Sequence, residues 1–363
     1  MNRLKSMDKK TKSNFITYGM VIIAYLIMQG LITSQSISAT LNGLLIPLCY
    51  YVILAISLNL TVGILGELSL GHAGFMCVGA FTGAMFTQIT ETTITNSVLR
   101  FFLAILVGIF FAGLAGLVVG VPVLRLKGDY LAIVTLAFGE IIKNLVNVIY
   151  FGVDDKGLHV SLKSSVELGM AADGKVIIKG AQGITGTPKD STFFIGILIL
   201  LVTLIVINNL INSRSGRAVM AIRDNRIAAE SIGLNITQYK LLAFSISAAF
   251  AGAAGVLYAH NLATLTATSK NFGYNMSIMI LVFVVLGGIG NIRGSMIAAV
   301  ILTLLPELLR NVSPFVSDNR MLFYAIFLIG VMLFSQSPKA IDFRKLYLNF
   351  GKFLHKEPKK EVE

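Results

Sequence analysis

Residues 99–121 read LRFFLAILVGIFFAGLAGLVVGV, and the only charge among them is Arg100, next to the start. Wound as a helix, these residues are about 34 Å long, enough to cross the roughly 30 Å hydrocarbon core of a bilayer. The rest of the chain follows the same pattern. Apolar runs recur at 15–33, 44–63, 70–89, 130–150, 192–211, 241–260, 275–290, 296–309 and 321–334. Together they predict an all-α polytopic membrane protein with about ten transmembrane or half-membrane helices, the short pair flanking Arg293 being either two half-helices or one broken element. Composition agrees: the 363 residues are 55% hydrophobic and 13% charged. A soluble domain carries about twice that charge, so an ordinary soluble enzyme is excluded. The 34 glycines fit helices that approach closely in lipid, and Cys49 and Cys77, both in apolar stretches, offer neither a disulfide framework nor a metal site.

The formal net charge of +12 does not form one basic patch of the kind that binds nucleic acid. With the N-terminus inside, 20 of the 30 basic residues fall in inside segments and nine in outside ones, while Lys143 lies within a span. This asymmetry orients the bundle. The reading is a cytoplasmic basic N-terminus (1–14), a multi-pass transmembrane domain (15–337) and a cytoplasmic basic tail (338–363). The first apolar run is too long for a signal peptide and is read as a retained span.

Two connections are long. Residues 151–191 form an outside loop whose five lysines balance five acids, and Lys175-Val-Ile-Ile-Lys179 alternates between glycines as a small hairpin would. Residues 212–239 lie inside.

No G-x-x-x-x-G-K-[ST] phosphate loop occurs, and the glycines of 287–294 lack dinucleotide spacing. His72, His159, His260 and His355 are scattered, so neither a metal nor a cofactor is expected. Gly63, Gly66, Gly71, Gly74 and Gly79 interrupt an apolar stretch that carries Asn59, Glu67, Ser69 and His72. Either these polar groups line a pathway on a broken helix or they form an ordinary inside turn. Glu140 and Lys143, three apart on one helical face, look like a neutralised pair with a structural role.

The inside segment beginning Asn212-Ser-Arg-Ser-Gly-Arg217 and ending Ser231-Ile-Gly-Leu-Asn235 is too apolar for a solvated linker. Asp224 is placed to cap a short helix, Ile227, Ala228 and Ile232 give it an apolar face, and Gly233 can end it. So short a helix is marginal alone. Its face packs on the protein's own spans or the lipid interface, or it enters a groove on a soluble partner, the pattern of helix-in-groove contacts.

Residues 216–233 of this segment resemble the coupling loop of ABC importer permeases, specifically the branched-chain amino acid permeases of the LivM type. Three further stretches, 57–75, 124–140 and 287–295, agree with that family in order, so the resemblance extends over about 44–335. Residues 184–189, after an extended insert from about Gly157, depart from the family's outer-loop pattern. The resemblance implies a non-catalytic subunit forming half of a translocation pathway. It also implies a homologous second permease subunit, two cytoplasmic ATPase subunits, and an extracellular or periplasmic solute-binding protein. By the same resemblance, Arg217, Arg223, Asp224, Asn225, Ala228, Ala229 and Gly233 would meet the ATPase. Urea or a short amide is an alternative solute. An ion-driven secondary transporter is the rival class, and a membrane-embedded enzyme is disfavoured because the chain has no nucleophile and base cluster.

Overall fold

The computed structural model describes residues 9–126, 128–155, 157–171, 174–310 and 313–336; both expected basic tails fall largely outside them. Helices form at all ten apolar runs. They are α1 (Lys9–Thr33), α2 (Ala39–Asn59), α3 (His72–Ile89), α4 (Ser97–Val123), α5 (Asp129–Val148) and α6 (Phe193–Asn212), then α9 (Ile236–Ala259), α11 (Tyr274–Gly287), α12 (Ile292–Arg310) and α14 (Arg320–Gln336). Among the described residues seven of these are long and apolar enough to cross a membrane, and α11 joined to the short α10 (Ser269–Phe272) makes an eighth such stretch, Ser269–Gly287; α3 and the shorter α14 are the other two. The 212–239 connection contains two more helices, α7 (Arg214–Asp224) and α8 (Arg226–Ser231), of which the sequence reading foresaw only the second. The pair around Arg293 resolves into two helices joined by the turn at residues 288–291.

The chain divides into two compact units, Met1–Ile301 and Leu302–Glu363. The second holds the last turns of α12 with α13 (Pro314–Asp318) and α14. In the first, α3, α4 and α9 pack most extensively on one another, with α2 against α9. A helix apolar on every side belongs inside, and 89% of the apolar window of α2 is buried against 11% for α1, so α2 is central and α1 peripheral. Small residues make the α3–α4–α9 seam. A Cβ on Gly79 would lie 2.3 Å from the Gly252 Cα, and one on Gly252 would lie 2.6 Å from the Gly108 carbonyl. No larger side chain fits there.

α2 does not end as a simple α-helix. It widens into a π-helical turn, Leu60–Leu65, and Gly66 stops it in the left-handed region at φ +79. Residues 66–71 then run without helix to α3.

At the opposite end lies a small antiparallel sheet in the order β2-β1-β3-β4-β5. Its strands are β1 (Tyr150–Asp154), β2 (Gly157–Ser161), β3 (Lys175–Lys179), β4 (Ile184–Thr185) and β5 (Thr264–Leu265). The alternating 175–179 stretch is a strand as expected, but it pairs with β1 and β4 rather than forming a hairpin within itself. Lys175 on β3 bonds Glu91 at 2.7 Å, Gln88 Nε2 donates to the Thr185 carbonyl at 2.9 Å, and Arg100 approaches Asp190 at 3.8 Å. These contacts fasten the sheet to the ends of α3 and α4. The hydrogen bond from Lys175 holds the Glu91 carboxyl below the usual glutamate range, whereas burial pushes Asp190 up against the opposing pull of Arg100.

Candidate functional site

Three short polar caps build the 212–239 connection. Ser213 Oγ accepts from Gly216 N at 3.1 Å and starts α7; Asn225 Oδ1 accepts from Ala228 N at 3.0 Å and starts α8; Asn235 Oδ1 accepts from Gln238 N at 3.1 Å and starts α9. The cap of α8 is therefore Asn225, one residue beyond the expected Asp224. Asp224 instead pairs with Arg223, whose Nη2 lies 2.8 Å from its Oδ1. Gly233, at φ +86, closes α8 with the bond from Leu234 N to the Ala229 carbonyl, as expected.

α8 has two apolar faces, of which the sequence reading described only that of Ile227, Ala228 and Ile232. Ala229 is buried with Ile222 of α7 and Ile236 of α9, and Leu234 and Tyr239 pack on this small core. Ile227 and Ile232, 81% and 74% exposed, point away from it, and Ala228 is exposed beside them. The connection thus folds on its own core and leaves two isoleucines and an alanine uncovered. Arg217 is also exposed, donating to the Asn212 carbonyl at 2.9 Å.

Arg223 turns inward. Its Nη1 donates to the Gly63 carbonyl at 2.9 Å, and its side chain crosses Gly66, where a Cβ would lie 2.5 Å from the arginine Cγ. It thereby joins the α7–α8 hairpin to the π-helical end of α2.

Four further groups meet around this break. Asn59, fully buried, accepts from Gly290 N and donates to Ser295 Oγ, both at 2.8 Å, and so holds the turn between α11 and α12. His72 Nε2 lies 2.8 Å from Ser57 Oγ, and Ser247 of α9 donates to the Ser57 carbonyl at 2.5 Å. Leu70 N donates to Thr135 Oγ1 of α5 at 3.0 Å, and Ala73 N to Ser277 Oγ of α11 at 3.1 Å. Glu67 pairs with Lys240 of α9, and Ser69 Oγ is buried without a hydrogen-bond partner among the described residues. The stretch from Ser57 to Ala73 thus meets polar groups from α5, α9, α11 and α12. Lys240 and Ser295 were not singled out in the sequence because their partners lie 173 and 236 residues away.

A family model described as branched-chain amino acid transport system / permease component matches residues 40–332. The chain belongs to this family. Within the branched-chain permease family, it is 36% identical over 270 residues to the high-affinity branched-chain amino acid transport system permease protein LivM of Escherichia coli, and equally to that of Salmonella typhimurium. Each match covers 72% of this chain and 61% of the relative, so the chain spans less than two thirds of the length of these relatives. A probable branched-chain amino acid transport permease protein LivM of Methanocaldococcus jannaschii is 25% identical over 278 residues, covering 67% of this chain and 74% of the relative. No solved structure matches. The α7–α8 hairpin, the π-helical turn and the polar groups around it all lie inside the region that the permease family model matches.

Proposed function

We propose that this chain is a permease subunit of an ATP-driven importer and forms half of a translocation pathway for branched-chain amino acids in a bacterial plasma membrane. It performs no catalysis itself. A homologous permease subunit supplies the other half, two cytoplasmic ATPase subunits supply the energy, and a solute-binding protein delivers the solute from outside. The termini and the α7–α8 hairpin face the cytoplasm; the five-stranded sheet faces out.

The observation that carries this reading is the α7–α8 hairpin: a self-supported element that exposes Ile227 and Ile232 on one side and reaches the Gly63 carbonyl through Arg223 on the other. Burying either isoleucine in a partner's groove contributes about 1.5–3 kcal/mol. ATP-driven closure of the ATPases presses on that exposed side. The movement passes through Arg223 to the break, where Asn59, Glu67, Ser69 and His72 line the inner part of the pathway. Opening there requires Asn59 to exchange its bonds to Gly290 and Ser295.

Co-purification of the ATPase subunits with wild-type and Ile227→Glu permease tests the reading, together with ATP hydrolysis in proteoliposomes stimulated by leucine, isoleucine, valine or urea. The charge is expected to weaken ATPase binding and leave membrane insertion intact. Full ATPase retention with normal stimulation would refute the coupling role. Stimulation by urea alone would replace the solute, and uptake driven by an ion gradient without any ATPase would replace the class.

A further inference from the structure

The sequence assigns Glu140 and Lys143 a structural role, but their depth in the membrane points elsewhere. α5 has 20 residues, and Glu140 lies eight residues before its end at Val148, about 12 Å along the axis. Glu140 Oε1 accepts from Tyr274 N, the first residue of α11, at 2.9 Å. The short helix α10 (Ser269–Phe272) precedes α11, and the two together make one 19-residue apolar span, Ser269–Gly287, in which Tyr274 lies five residues, about 7.5 Å, past the start. Two independent measures therefore place the Glu140–Tyr274 contact about 10 Å below the sheet-bearing surface. The break between α10 and α11 at Gly273, where α11 starts without a side-chain cap from its own chain segment, lies beside this contact.

Polar side chains at that depth need protein or water to satisfy them. Here several are uncovered. Ser269, Tyr274 and Asn275 are exposed, and so is Asn144, one turn beyond Glu140 on α5, whose side chain has no hydrogen-bond partner among the described residues. The ion pair is not sealed either: the Glu140 side chain is 26% exposed, and Lys143 also donates to Ser269 Oγ at 2.9 Å. Lipid cannot satisfy such a face. Ionisable groups within spans characteristically face a bundle interior or a water-filled cavity and mark solute pathways.

We infer that this face of α5 and α11 is a transit site for the zwitterionic head of an amino acid, with Glu140 receiving the ammonium group and Lys143 and Ser269 receiving the carboxylate. The reasoning is electrostatic. The resident pair is neutral, and so is the arriving zwitterion. If the two pairs exchange partners, every charge keeps an opposite partner at a depth where an unpaired one is costly. Ile141 and Ile278, exposed on the same two helices, supply an apolar wall suited to a branched aliphatic side chain. The site rests on the importer reading for its place in a transport cycle, yet it can be tested without ATP.

The assay uses the full permease complex in proteoliposomes. Asn144→Cys is treated with a charged, membrane-impermeant methanethiosulfonate reagent, with and without saturating leucine; the native Cys49 and Cys77 are buried. Phe110→Cys, on an exposed apolar part of α4, is the lipid-facing control. Labelling of Asn144→Cys but not of the control, slowed at least tenfold by leucine and unaffected by urea, is expected. In ATP-driven uptake, Glu140→Gln, which keeps an acceptor for Tyr274 N, is expected to raise the leucine KM at least tenfold with little change in ATPase retention. Absence of labelling in the complex would overturn the site by showing that lipid or the second permease covers this face. Labelling indifferent to leucine, or an unchanged KM in Glu140→Gln, would overturn it as a solute site. Leucine protection in a complex that shows no ATP-driven uptake would keep the site and remove the importer reading.

Discussion

Replacing Arg223 by alanine removes a side chain that both touches the π-helical end of α2 and belongs to the exposed α7–α8 hairpin. A hydrogen bond from a charged donor contributes about 1.5–3 kcal/mol when well shielded. The Arg223 side chain is 36% exposed, so solvent screening reduces the figure to about 1–2 kcal/mol for the bond to the Gly63 carbonyl. The Arg223–Asp224 pair is a surface pair and adds little to this. If the linkage transmits the ATPase movement, its loss lowers solute transported per ATP hydrolysed by about five- to thirtyfold. The ATPase remains bound, because Ile227 and Ile232 are untouched. Arg223→Lys keeps a cation but not the planar fork that serves Gly63 and Asp224 together, and is expected to fall between wild type and alanine. The assay measures leucine uptake and ATP hydrolysis in the same proteoliposomes. A wild-type ratio in Arg223→Ala with the ATPase retained would refute the linkage.

Ala229→Glu places a carboxylate in the small core of Ile222 and Ile236; unlike Ile227→Glu, it is expected to unfold the hairpin itself, seen as rapid proteolysis of the 212–239 connection in detergent. Gly79→Leu drives a side chain into Gly252 at the α3–α9 crossing and is expected to cost at least about 3 kcal/mol, read as a lower melting temperature of the purified permease. The folded Glu91 carboxyl titrates below the ordinary 4.5, so its bond to Lys175 contributes stability above that value. This contribution is lost as pH falls through the depressed folded pKa, and hydrogen exchange in β3 should rise there by a small factor, as befits a half-exposed pair. Ser213→Cys is expected to resist an impermeant thiol reagent in intact cells while Ser164→Cys reacts; the reverse pattern would invert the proposed topology.

All ten helices were legible because span length and apolarity are local properties of the chain. The α7–α8 hairpin was half legible. Adjacent Asp224 and Asn225 offer the same cap chemistry, and only the extended backbone of Asn225, at φ −153, selects the second. The apolar face of Ile227, Ala228 and Ile232 was legible from its spacing, whereas the small core on the other side, where Ala229 meets Ile222 and Ile236, was not, because its members come from three different helices. The candidate groups Asn59 and His72 were visible as polar residues on a glycine-broken span. Their partners Ser295 and Ser57 were not, since a hydrogen bond between distant helices leaves no periodic trace. Glu140 and Lys143 were visible as a pair at i, i+3. Their depth emerged only when the bond to Tyr274 fixed the start of α11 against them.

The fifth strand of the sheet has two memberships. Thr264–Leu265 is an edge strand of the sheet, paired with Ile184 and Thr185, and it is also the first piece of the segment that reaches Ser269 and Tyr274. Gly183 leaves no room for slippage in this stitch, since a Cβ there would lie 1.9 Å from the Leu265 carbonyl. Whatever tugs the sheet sideways therefore tugs the floor beneath it, like a hem sewn to its lining. A protein settling on the sheet would thereby shift the segment that carries Ser269, the partner of Lys143, without touching a long helix.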